Sequence, residues 1–152
     1  MRPFSDALHF PRFLACMLQF HTFITWALMG LIWHVQIVQY PLFLDVGRES
    51  FDRYHCGHCL RITFVVVPLI LLEAASGAWL FWLGERSPVF LWSLVFVVAA
   101  WLSTFFIQVP IHGQLTQEGW SAEVIQKLVR TNWLRTAAWT VRGLLVGSMC
   151  IG

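Results

Sequence analysis

The chain has 152 residues, of which 58% are hydrophobic and only 12% charged, with a net charge of +2. With a mean hydropathy of +0.67, that balance excludes an ordinary soluble domain, which needs far more polar surface. The few positive charges are dispersed and form no polybasic tract, which excludes a nucleic-acid partner.

Residues 1–10 are mixed in character, and the apolar run that follows is too long for the h-region of a cleavable leader, so it is expected to remain as a span. This first run, about 13–44, contains no Asp, Glu, Lys or Arg. Further spans are expected over about 62–83, 89–111 and 131–150, since a hydrocarbon core of ~30 Å requires about 20 apolar residues. The second extends back as a helix to around Phe51. Ser121, followed by Ala122 and Glu123, predicts an N-cap with an acidic first turn, so the fourth helix starts outside the membrane. The connections, 45–50, 84–88 and 113–120, are short enough to join antiparallel neighbours. The expected fold is all-α, an integral membrane up-down-up-down four-helix bundle forming one domain over 1–152.

Nine Trp and thirteen Phe supply interfacial belts and packing, and the bilayer is the first expected partner. Other membrane subunits or further copies of the chain are the remaining partner classes. Arg48, Arg53, Arg61, Lys127 and Arg130 flank loops one and three, against Arg2, Arg12 and Arg86 on the other side. The count narrowly favours the first set in the cytoplasm of a multi-pass protein, taken to lie in a bacterial inner membrane.

Histidines carry the chemistry. An ionisable residue inside a span is costly and marks a functional site by default. Levels can be matched across each hairpin at ~1.5 Å per residue. Turns near 47 and 86 then bring His34, His58 and His112 to one depth. Ala27, Gly30 and Pro41 share the His34 stripe, and small residues favour close helix contact. Gln108, Phe105 and Trp101 share the His112 stripe and predict an interior face. His55 lies three residues before His58 and is the expected further ligand, with Gln108 and Tyr54 orienting the imidazoles. Neutral imidazoles suit copper and iron, and two facing ones suit a haem b, so copper, iron and haem b all remain open. Cys56 and Cys59 form a single CxxC without a second ligand pair and read as packing residues; catalytic residues are not specified.

A second polar layer lies deeper. Glu73 is the one acidic residue well inside an apolar run, and level matching puts it near His21 and Arg135. A Glu73–Arg135 ion pair is therefore expected, serving helix register or proton transfer.

Val109-Pro110-Ile111-His112, with Leu115, and Asn132-Trp133-Leu134-Arg135-Thr136 resemble the anthrone oxygenase-like integral membrane family over about the last third of the chain. That family has four transmembrane helices, a valine-proline-x-polar turn ending helix three, and an asparagine-x-x-arginine-threonine motif on helix four. The resemblance implies site roles for His112, Asn132, Arg135 and Thr136, and oxygen-dependent oxidation of a hydrophobic phenolic or polycyclic substrate.

Two functional readings follow. One is a histidine-ligated metal or haem protein, as an oxidoreductase acting on a lipophilic substrate. The other is a non-catalytic accessory subunit of a larger respiratory or photosynthetic membrane complex. A small transporter is disfavoured, because no inverted repeat or pair of broken helices is evident.

Overall fold

The computed structural model describes residues 4–151, with side chains from residue 12 onward. Arg2, counted in the orientation argument, lies outside the described residues, and nothing is assigned to the side chains of residues 4–11. The described chain is all-α. Helix α1 (Phe4–His34) continues through a π turn, Val35–Gln39, and a 3-10 turn, Pro41–Asp45. Helix α2 is Arg48–Trp82. Helix α3, Pro88–Glu118, is one rod: an α segment Pro88–Ser103, a π turn Thr104–Gln108, and a second α segment Val109–Glu118. Helix α4 is Ala122–Ser148.

Local chemistry explains the ends. Ser87 and Ser121 each accept a hydrogen bond at the N-terminus of the helix that follows, from the N–H groups of Phe90 and Val124. Gly119, at φ 77°, closes α3 in a conformation that side chains with a Cβ rarely adopt. The expected 113–120 loop is therefore corrected, because helix persists to Glu118. Pro110 does not stop it: the π turn just before it has already replaced the regular ladder, so the missing proline N–H interrupts little. Tyr40-Pro41 follows the first π turn in the same way, with the Tyr40 N–H bonded to the Val35 carbonyl.

Arg12–Asp45, Arg48–Trp82 and Pro88–Glu118 are each long and apolar enough to cross a membrane. Their outward faces carry Phe23, Phe64, Trp82, Trp92, Phe105 and Phe106, all exposed, as lipid contact requires. Phe105 thus departs from its expected interior position, since the π turn rotates it away from Gln108. Helix α4 is long enough but carries Glu123, Lys127, Arg130, Arg135 and Arg142. Its Asn132, Thr136 and Arg142 are buried against the other helices.

The expected small-residue contact around Gly30 is also corrected: Gly30 is exposed, and a Cβ added there would meet nothing within 4 Å. Close approach occurs instead at Gly143 and Gly147 of α4, where the Trp26 indole lies across the backbone and donates to the Gly143 carbonyl at 2.9 Å. A Cβ at Gly147 would stand 2.8 Å from Trp26 Cζ2. Gly147→Ala is therefore expected to destabilise the protein by about 1–3 kcal/mol in thermal unfolding, as overpacking does. Gly30→Ala serves as the neutral control.

Candidate metal centre

Phe43 and Phe51, both fully buried, close the turn between α1 and α2 and form the floor of an aromatic and imidazole cluster. His55, His58 and Cys59 occupy positions i, i+3 and i+4 of α2, so all three project from one side of the helix. Phe51 stacks under His55, and Phe43 meets His55 and His58 edge-on. His112 enters from α3, one turn beyond the π segment.

His55 Nε2 lies 2.9 Å from His112 Nδ1, and Cys59 Sγ lies 3.6 Å and 3.7 Å from those nitrogens. All three ligand atoms fall within 4.8 Å of one another. Around a tetrahedral ion with bonds of ~2.0 Å to nitrogen and ~2.3 Å to sulfur, the nitrogens would sit roughly 3.3 Å apart and each roughly 3.5 Å from the sulfur. The sulfur distances come within about 0.2 Å of that spacing, while the two nitrogens must part by about 0.4 Å.

The outer ring atoms are also engaged. His112 Nε2 is 2.9 Å from the Tyr40 hydroxyl, and His55 Nδ1 is 3.5 Å from Thr116 Oγ1. With Nδ1 of His112 turned to a metal, its Nε2–H donates to Tyr40, which fixes both tautomer and ring plane. Tyr40→Phe is accordingly expected to weaken metal binding by about 10–100-fold in a competitive chelator titration.

His55 and His112 come together, and His58 stacks beside His112 with ring centroids 6.3 Å apart. His34 does not join them. It is exposed, because Gln36, two residues and ~200° further round the helix, faces the interior. Cys59, expected to be a packing residue, stands in the cluster, whereas Cys56 is exposed. Its spacing of four from His55 was the available signal. Tyr54 is exposed and accepts from Gln39, so the phenol at the histidines is Tyr40 instead. Gln108 donates to Thr131 rather than to an imidazole.

Two further polar sets occupy the interior. Gln36 Oε1 accepts from Asn132 Nδ2 at 2.8 Å and from Thr136 Oγ1 at 3.3 Å, which ties α1 to α4. Deeper, Glu73 pairs with Arg142, not Arg135. The cause is the extra length of α3: moving the third turn to Gly119–Ser121 shifts the level partner seven residues along α4, about 10 Å. Arg142 also donates to the Ser93 carbonyl and hydroxyl at 2.9 and 3.0 Å and to His21 Nε2 at 3.2 Å. A guanidinium only donates, so His21 Nε2 must accept, leaving Nδ1–H to donate to Ser76 Oγ at 2.8 Å. Ser76 in turn donates to the Glu73 carbonyl at 3.1 Å. The network is directional, and every Arg142 nitrogen is engaged.

A cavity of about 300 Å³ adjoins the histidines, bounded by Tyr40, His58, Cys59, Gln108, His112 and Arg135 among apolar side chains of all four helices. No family model, curated protein or solved structure matches this chain.

Proposed function

We propose that the protein is a multi-pass membrane metalloprotein in which His55, Cys59 and His112 hold one transition-metal ion. The supporting observation is the convergence of two imidazole nitrogens and a thiol from α2 and α3 within 4.8 Å. Copper is the proposed ion, because a soft thiolate beside imidazoles favours it over iron. Haem b fits less well. Axial nitrogens must lie on opposite faces of a porphyrin, ~4 Å apart given bonds of ~2 Å, whereas His55 and His112 nitrogens lie 2.9 Å apart.

Three protein donors would leave one position of a four-coordinate ion free, and two of them, Cys59 and His112, line the cavity; reactive rather than purely structural sites keep such a position. We therefore assign the protein an oxidoreductase role on a lipophilic molecule held in that cavity. The up-down-up-down arrangement of four spans belongs to the same proposal. It is supported by the order of paired residues: Phe43 with Phe51 and His21 with Ser76; Gln108 with Thr131 and Ser93 with Arg142. We also propose a relationship to the anthrone oxygenase-like family. It is supported by the interior positions of the motif residues, with Asn132 and Thr136 on Gln36 and Arg135 in the cavity.

Elemental analysis and an absorption spectrum of the detergent-purified protein test the reading. The expected result is one copper ion per chain with a thiolate-to-copper band, both lost in His112→Ala. Protein that stays metal-free after copper loading and washing, or metal content unchanged in His112→Ala, would overturn it. The second result is the one the accessory-subunit reading predicts.

A further inference from the structure

The cavity beside the histidines carries a charge that no acidic group among the described residues balances. Arg135 enters it from α4, and among the described residues its guanidinium has no acidic partner, since Glu73 is taken by Arg142. Its polar neighbours are neutral hydroxyls, Thr104 Oγ1 at a long 3.5 Å and Tyr40, and its Nε is buried without a partner. Trp101, also on the cavity wall, has a buried Nε1–H with no acceptor. Gln108 Oε1 is the one unpartnered acceptor there, outnumbered by those two donors and the cation. The remaining wall, including Leu28, Val35, Val66 and Ile70, is apolar.

An uncompensated guanidinium in an apolar surround is unfavourable, and an anionic acceptor offsets it. We propose that this cavity binds a carboxylate-headed lipophile, with the carboxylate on Arg135 and the Trp101 N–H and the apolar body along α1 and α2. A cavity of about 300 Å³ is at the small end of ligand sites, which limits the body to a medium acyl chain or a two-ring aromatic. The assignment deepens the proposed function by naming its ligand class. It rests on that reading only for the metal's presence; the charge argument stands on Arg135.

The test is equilibrium binding of radiolabelled decanoate, 2-naphthoate and 1-decanol to the full chain in phosphatidylcholine nanodiscs, with empty nanodiscs as baseline. At least one acid is expected to saturate a single site, with decanol at least 10-fold weaker. Arg135→Gln should weaken acid binding at least 10-fold and leave metal content unchanged, and Arg135→Lys should recover part of it. Val66→Trp, which fills the cavity from α2, should abolish binding without touching the charge. Preference for decanoate identifies an acyl ligand, and preference for naphthoate an aromatic one; either supports the site. Absence of saturation by both acids, equal binding of decanol, or full binding by Arg135→Gln overturns it. Repeating the titration on chelator-stripped protein separates the two proposals. Acid binding by a chain that takes up no copper on reloading leaves the pocket standing and removes the metal reading. Metal loading without acid binding does the reverse.

Discussion

Glu73→Ala is expected to lower stability in detergent by about 3–5 kcal/mol, the cost of removing one member of a buried ion pair. The reason is the Arg142 guanidinium, which is 1% exposed and would be left without its counter-charge between three helices. Its remaining acceptors, Ser93 and the His21 ring, are neutral and cannot replace a carboxylate. The measurement is denaturant or thermal unfolding followed by circular dichroism. The double variant Glu73→Leu with Arg142→Met serves as the companion, because apolar replacement of a whole buried pair is often neutral or stabilising. Recovery in the double variant after a large loss in the single one is the expected pattern. A loss below about 1 kcal/mol in Glu73→Ala would show that water or lipid headgroups reach Arg142, contrary to its burial.

Cys59→Ser is expected to reduce copper affinity by more than about 100-fold while leaving the fold intact, because serine supplies the same shape without the soft donor. Its thiol stands 3.6–3.7 Å from both imidazole nitrogens, so it is the group that separates a metal centre from a simple histidine–histidine hydrogen bond. Cys56→Ser is the matched control: Cys56 is exposed, three residues away on the same helix, and should leave copper binding unchanged. Equal copper affinity in the two variants would remove Cys59 from the site.

The two π turns connect fold to site. Each precedes a proline, and each delivers an interior side chain to the same cluster, Tyr40 from the first and His112 from the second. A π turn inserts one residue into the helical ladder and rotates everything after it. That rotation explains why the regular α pattern put Phe105 inside, and why Tyr40, beyond the first turn, faces His112. Neither turn is marked by a composition that distinguishes it from ordinary helix, so periodicity alone could not locate them.

Composition and run length by themselves determined that the chain is helical and suited to a membrane, because a bilayer imposes a length and polarity requirement that any span must meet. Spacing within one helix was equally legible: His55 and His58 share a face whatever surrounds them, and Ser121 caps α4 through contacts three residues away. Partnerships between helices were decided only in three dimensions. The choice of Arg142 over Arg135 for Glu73 turned on a few extra residues of α3, and the entry of Cys59 into the histidine cluster turned on which face of α2 meets His112. A level estimate accumulates the error of every turn between two residues, and about two helical turns along α4 exchanged Arg135 for Arg142.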